Sequence, residues 1–338
     1  MGVKLNEIVV RKPVSFEELV NKTVAVDFSN SAYQFLSSVR QQDGTPLMDS
    51  DGRVTSHLMG AWMRFSNLIQ QNIKMVIVFD GKMPELKHGT HTSRVERKEI
   101  AKQKYDEAKS EDDREGMARY AKQFSHLTKE MVEESKELVR AMGLPFIQAP
   151  AESDAQMSWL CKKGDAWASA SSDYDSLLHG SPRMLTNLTL SQKRRTSTGA
   201  IIKITPELIE LEEVLRTLNI TQEQLIVIAI LCGTDYNPGG IKGIGPKKAL
   251  KLVTKEKNYN KLFEELGADF DWKEIMELFK KMDVEKNYKL AWSEPDADAI
   301  KEILVERHNF SEDRVNSVLN RLMDSKKKRE QAGLGAWM

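Results

Sequence analysis

The stretch Gln148–Leu178, QAPAESDAQMSWLCKKGDAWASASSDYDSLL, carries four carboxylates in two closely spaced pairs, Glu152 with Asp154 and Asp173 with Asp175. The second pair follows Ala166–Ser171, a short run of small and apolar residues that predicts a buried strand. Asp173 and Asp175 then stand at that strand's C-terminal end, where open parallel α/β sheets place their ligands. The first pair follows Pro150 and opens the amphipathic run Ala155, Met157, Trp159, Leu160, which places it in the first turn of a helix. Either pair alone has an ordinary explanation, since acids cap helix starts and meet the dipole there, and Asp-x-Asp is common in loops. Two pairs about twenty residues apart, both at element ends facing one sheet edge, point instead to half of a metal site.

Upstream, the strand-then-acid pattern recurs. Asn21–Phe28, NKTVAVDF, is a β-branched run that ends on Asp27 and is followed by the helix-like SAYQFLSSV. Residues 41–55 are rich in turn formers, and His57–Gln71 repeats apolar residues at helical spacing. Met75–Phe79, MVIVF, is a fully apolar strand ending on Asp80. Strands joined by crossover helices run parallel, so Asp27, Asp80 and Asp173 converge on one edge. The expected fold is α/β, with a central, mostly parallel sheet and helices on both faces.

Between Gly81 and Met142 the chain turns polar and charged, with helix formers and no apolar strand, and reads as an insertion over the sheet edge. Lys87, Arg94, Arg97, Lys98, Lys102 and Lys104 oppose only Glu96 and Glu99, whereas residues 105–115 are acidic. A solvated helical face of mixed charge accounts for this composition equally well. Gly89, Thr90 and Thr92 weaken the first turns, so this helix is expected to order only around a ligand. Leu127–Met142 resumes a helical pattern, and LPFIQ reads as the strand before Glu152. After Asp175, RMLTNLTL and AIIKI flank SQKRRTSTG and read as a hairpin with a basic tip. Thr221–Gly233 is an apolar helix that delivers Asp235. In GIKGIGPKKALKLV, Gly243 and Gly245 flank Ile244, Pro246 falls at the first helical position, and Lys247, Lys248 and Lys251 lie in the first turns. This is a helix-hairpin-helix pattern, which presents backbone amides and a helix N-terminus to a phosphate without reading bases.

The 338 residues are 40% hydrophobic and carry zero net charge, enough for a large core but without a global field toward nucleic acid. Cys161 and Cys232 lie among apolar neighbours without CxxC spacing, which suits a reducing compartment and excludes a disulfide scaffold. The N-terminus MGVKLNEIVV lacks a secretory pattern, and the longest apolar run, Leu225–Cys232, is too short to span a bilayer. A cytoplasmic protein is expected, or a nuclear one in a eukaryote, with no membrane partner.

Together, VDFSNSAYQFL, VFDGKMPELK, QAPAESDAQ, SSDYDSLL and GTDYNPGGIKGIGPKKAL resemble the flap endonuclease family, its archaeal branch above all, from Met1 to about Met323 and again in the tail. The resemblance implies a structure-specific 5′ nuclease that removes flaps in lagging-strand synthesis and base excision repair, acting as a monomer. It implies a single nuclease domain over 1–325, with an N-terminal portion over 1–100, a helical arch or gateway at about 81–140, and an internal portion at about 127–260 that includes the hairpin, 225–256. Residues 326–338 would be a flexible tail. The family's metal carboxylates fall on Asp27, Asp80, Glu152, Asp154, Asp173, Asp175 and Asp235. Its gateway bases fall on Lys87 and Arg94, and its DNA contacts on Tyr33, which stacks on a base, Arg97, Gly243, Gly245, Lys247 and Lys248. Carbonyls of the hairpin would hold K⁺, and Gln331, Leu334, Trp337 and Met338 match the motif that docks on the sliding clamp. The chain departs from the family at Asp154, where Glu is usual, and at Met338, where a second aromatic is usual.

The chemistry of the residues agrees. Seven carboxylates on one edge repel one another unless cations neutralise them, and hard oxygen ligands select Mg²⁺, with Mn²⁺ as a substitute. Two such ions bind the attacking and leaving oxygens of a phosphodiester, so 5′-flap hydrolysis by activated water, leaving a 5′-phosphate, is the expected reaction. A metal-dependent phosphatase would have no use for the hairpin. An excision-repair or junction nuclease of the same superfamily and a non-catalytic DNA-binding scaffold are the remaining alternatives.

Overall fold

The structure, a computed structural model, describes residues 3, 5–41, 44–111, 113, 116, 120, 126–188, 193–195 and 201–335. Seven strands form the main sheet: β1 (Lys12–Pro13), β2 (Thr23–Asp27), β3 (Lys74–Phe79), β4 (Phe146–Gln148), β5 (Ala168–Ala170), β6 (Arg183–Thr186) and β9 (Glu207–Glu210), in the order β1-β9-β6-β5-β2-β3-β4. From β4 across to β6 every pairing is parallel, and β9 is antiparallel to both β6 and β1. The helices are α1 (Phe28–Ser38), α2 (Ser56–Gln70), α3 (His88–Ser110), α4 (Lys129–Ala141), α5 (Ser153–Lys163), α6 (Asp175–Leu178), α7 (Leu211–Leu218), α8 (Gln222–Cys232), α9 (Pro246–Lys255), α10 (Tyr259–Glu265), α11 (Trp272–Lys281), α12 (Ala297–Lys301) and α13 (Glu312–Gly335).

The central strands are mostly apolar between their ends because both of their faces are covered. Val24, Val26, Met75 and Ile77 point into a core shared with Phe35, Trp62, Phe65 and Leu138. The alternate residues Ala25, Val76 and Val78 pack on Met157, Leu160 and Cys161 of α5. Right-handed crossovers that run in opposite directions along a sheet must put their helices on opposite faces. The chain steps outward from β2 to β3 to β4 under α1, α2 and α4, then returns across to β5 through α5 on the other face. This reversal opens a crevice at the carboxyl ends of β2 and β5. A third core, built on α8, which is buried from Gln224 to Leu231, supports the helices beyond β6. No single helix among the described residues is long and apolar enough to cross a membrane.

Three local expectations are corrected. The strand β6 joins the main sheet, and Ile201–Lys203 (β8) pairs with Lys193–Arg195 (β7), so the basic KRR is a strand rather than a hairpin tip. The choice of β5 and β9 over β8 as partners of β6 is set by packing into the main sheet, which local pattern does not report. The helix α3 is continuous from His88 through Gly89, Thr90 and Thr92. Propensity penalties of about 1 kcal/mol or less per residue act on only its first turn and leave the rest free to propagate. The tail expected from Lys326 continues α13 as far as Gly335, because KKKREQA consists of strong helix formers.

A buried polar cluster ties the turn before α2 to the C-terminal region. His308 Nδ1 lies 2.9 Å from Asp49 Oδ2 and its Nε2 3.3 Å from Glu134 Oε1, and His57 Nε2 lies 3.6 Å from Glu134 Oε2. Burial raises the Asp49 carboxyl, but hydrogen bonds from His308 and Arg53 outweigh it and bring it down to about 2. A carboxyl lowered by folding stabilises above its unfolded value and loses that contribution as pH falls through its folded one. Asp49→Asn should therefore lower stability at pH 7 by about 2 kcal/mol. Urea unfolding should show the two proteins converging as pH drops from about 4 to about 2, and a gap independent of pH would refute this account.

Candidate active site

Each carboxylate is fixed by the element that carries it. Asp27 is both the last residue of β2 and the N-cap of α1, accepting from the Asn30 backbone N–H at 3.0 Å. Asp80 follows β3 and accepts from the Ser153 N–H at 2.8 Å, so one strand's acid holds the helix that bears Glu152 and Asp154. Glu152 occupies the N-cap of α5 without bonding its amides, which leaves its carboxylate to turn toward Lys87 and the Tyr236 hydroxyl. Asp173 accepts from the Asn30 amide at 3.4 Å, and Asp175 opens α6. Asp235 lies just beyond α8, with Lys87 Nζ 3.2 Å from its Oδ2.

These seven groups feel one another. Burial first, then Asp80, pushes the Asp27 carboxyl up to about 8. Burial and then Asp173 push Asp175 up to about 7, with Asp235 and Glu152 adding to it. Asp154 is raised well above its usual range by burial, then by Asp27, Asp175, Asp173 and Glu152. Burial works against the Lys87 ammonium, but Glu152 and Asp235 more than offset it and the net shift is upward.

Hard oxygen donors at such density, with Asp154 Oδ1 buried and lacking any hydrogen-bond partner, suit a divalent cation. Among the described residues, however, no three acidic, histidine or cysteine side chains are already arranged to hold one ion. The expected set of seven ligands is therefore assembled on one edge without closing into a cage. Like charges spread apart, and the ammonium of Lys87 sits among them.

Around this edge lie the other expected residues. Tyr33 is exposed on α1. Arg94 and Arg97 are placed only through the backbone of α3. The turn between α8 and α9 needs glycine: a side chain at Gly240 would strike the backbone of Gly233 and Leu231 at 2.4 Å, and Gly243 has φ +78°. Pro246 starts α9, and Gly243, Gly245, Lys247 and Lys248 are exposed at that helix N-terminus. Gln331 and Leu334 lie on the backbone of α13, whereas Trp337 and Met338 fall outside the described residues. Sequence reading missed Tyr236 and Asn30. Tyr236 adjoins Asp235 and Asn30 lies one helical turn after Asp27, but only the folded chain shows which acids they meet.

Two family models match the chain, the XPG N-terminal domain over residues 1–101 and the XPG I-region over residues 143–235. Between them they contain all seven carboxylates and leave out residues 102–142, which include the whole second half of the gateway insertion. The chain is 47% identical to flap endonuclease 1 of Staphylothermus marinus, covering 100% of this chain and 99% of that one. It is 46% identical to flap endonuclease 1 of Pyrococcus horikoshii, covering 100% and 98%. Its fold superimposes on the flap endonuclease-1 structure from Methanococcus jannaschii with a TM-score of 0.77 at 41% identity, covering 97% and 100%.

Carboxyls that folding holds protonated release protons on unfolding, so their contribution to stability falls as pH rises from about 4 toward about 8. Asp154→Asn removes one of the repelling charges. In chelator, the variant should match the wild type at about pH 3.5 and exceed it by about 1–3 kcal/mol at pH 8. Urea unfolding at both pH values reads this difference, and a variant that is less stable at pH 8 would contradict the repulsion.

Proposed function

The chain belongs to the flap endonuclease family, and from that premise we propose that its carboxylate edge hydrolyses DNA phosphodiesters near the base of a 5′ flap with two divalent ions. It is a hydrolase, a structure-specific nuclease of replication and repair that acts on branched DNA. The cofactor is a divalent metal. Our reading takes this as two Mg²⁺, replaceable by Mn²⁺, with K⁺ at the hairpin carbonyls. The observation that carries the reading is the meeting of six carboxylates from the carboxyl ends of β2, β3, β4 and β5 with Asp235 from the loop after α8, which leads into an exposed basic hairpin.

Asp27, Asp80, Glu152, Asp154, Asp173, Asp175 and Asp235 would hold the ions. When bound, the ions neutralise these carboxylates and polarise the scissile phosphodiester. Around them the chain supplies positioning. Lys247 and Lys248, with the amides that follow Gly245, hold a duplex phosphate at a fixed distance from the edge. Tyr33 offers a ring to an unpaired base. In this reading Arg94 and Arg97 are carried on the backbone of α3, and Arg94 with Lys87 would meet the charge that develops on the phosphate. We take the attacking group to be water, the nucleophile that a bound divalent ion activates at a phosphodiester.

We further place Gln331, Leu334, Trp337 and Met338 on a sliding clamp. Gln331 and Leu334 are three residues apart on helical backbone and share a face. We take the protein to act as a cytoplasmic monomer, since a single chain supplies all seven carboxylates and the hairpin.

Asp175→Asn should abolish cleavage of a labelled 5′ flap in Mg²⁺ while leaving duplex binding nearly intact, because the position holds cations rather than phosphates. Cleavage at near wild-type rate would sink the metal assignment. Trp337→Ala should weaken calorimetric binding to the cognate clamp by on the order of 2 kcal/mol, the scale of an aromatic hot spot. Its cleavage without the clamp should be unchanged, and equal clamp affinities would remove the tail from the account.

A further inference from the structure

Lys87 lies within the carboxylate cluster. Its ammonium binds Glu152 Oε1 and reaches Asp235 Oδ2 at 3.2 Å, and its side chain is only 22% exposed. The other oxygen of Glu152 accepts from the Tyr236 hydroxyl, so both oxygens of this carboxylate already have a donor. The backbone holding Lys87 is the helical turn Glu85–Lys87, immediately before α3. One side chain therefore joins the foot of α3 to the acids of α5 and of the hairpin loop.

We propose that Lys87 is a displaceable internal counterion. In the protein free of DNA its ammonium supplies the positive charge the cluster needs, and a divalent cation enters by expelling it toward α3. The inference rests on the divalent-metal reading above. An ammonium and a divalent cation on the same carboxylate oxygens repel each other strongly at a near-surface dielectric, because the repulsion grows with the product of their charges and with closeness. Both cannot remain on Glu152 and Asp235. The four-carbon stem of lysine lets the ammonium swing out while the backbone stays in place.

The exchange has a consequence through linkage. If metal binding releases Lys87, anything that draws Lys87 away must tighten metal binding by the same factor. A phosphate oxygen at the crevice is such a group. Metal loading and substrate capture are then coupled through one side chain, and the lysine is delivered to the phosphate only when the acids no longer need it.

Calorimetric titration of Mn²⁺ into the full chain without DNA tests this. Lys87→Met should bind the ion on the order of tenfold more tightly than wild type, within the usual range of coupling between two sites. Lys87→Arg, which keeps the charge, should stay near wild type. Lys82→Met should also stay near wild type, because Lys82 is exposed and five residues upstream of the ion pairs. Equal affinity in Lys87→Met and wild type overturns the proposal, as does an equal gain in Lys82→Met, which would reduce the effect to general charge. Failure of every form to bind Mn²⁺ overturns the metal reading itself, a distinguishable result. In the wild type, NMR of labelled lysine side chains should show one slowly exchanging ammonium shift toward solvent-like values as Mg²⁺ is added. An unchanged spectrum alongside calorimetric binding overturns the counterion role.

Discussion

Mutual repulsion among seven carboxylates on one sheet edge is the constraint around which this molecule is organised. Burial makes it worse, since removing water strengthens every like-charge contact and raises the cost of ionising each group. The chain meets this with rigid attachment. Asp27 caps the helix that follows it, Asp80 anchors the first turn of α5, and Asn30 reaches Asp173. Each of these three acids is held by a bond to backbone or amide that survives whether or not its neighbours are charged. Strain of this kind concentrates where function requires it and is balanced by packing elsewhere.

That packing is the doubly covered sheet. Alternation along β2 and β3 sends Val24, Val26, Met75 and Ile77 to one core and Ala25, Val76 and Val78 to another. The strands cannot slip without turning one core inside out. Register is thereby fixed, and with it the height at which each strand ends and its acid begins. The reversal of chain direction between β4 and β5 then brings acids from both sides of the sheet to a single crevice.

Two further elements flank the crevice in different ways. The hairpin between α8 and α9 is shaped by backbone: Gly233 and Gly240 lie too close for any side chain, and α8, buried from Gln224 to Leu231, fixes the turn to the core. It is a stiff anchor at a set distance. By contrast, α3 is long and strongly charged and is tied to the acids through Lys87 at its foot. The electrostatics of the edge are transmitted to α3 through that ion pair, and they reach the start of the hairpin loop at Asp235 and Tyr236.

Much of this was determined by the sequence alone. The apolar runs ending on Asp27 and Asp80, the two acid pairs at 152–154 and 173–175, and the glycine-flanked Ile244 before Pro246 are local patterns, and local patterns follow from side-chain period and backbone freedom. They sufficed for a parallel α/β sheet with acids on one edge and a basic hairpin. The tertiary structure decided what depends on partners distant in sequence. The strand β6 pairs with β5 and β9 rather than with Ile201–Lys203, Tyr236 reaches Glu152, and Lys87 lies 3.2 Å from Asp235, which is far away along the chain. The continuity of α3 through Gly89 also went against a local reading, because propagation along a long helix outweighs weak propensity in its first turn. Spacing along the chain names the charged groups. Only folding sets the distances between them, and electrostatic interaction depends on distance.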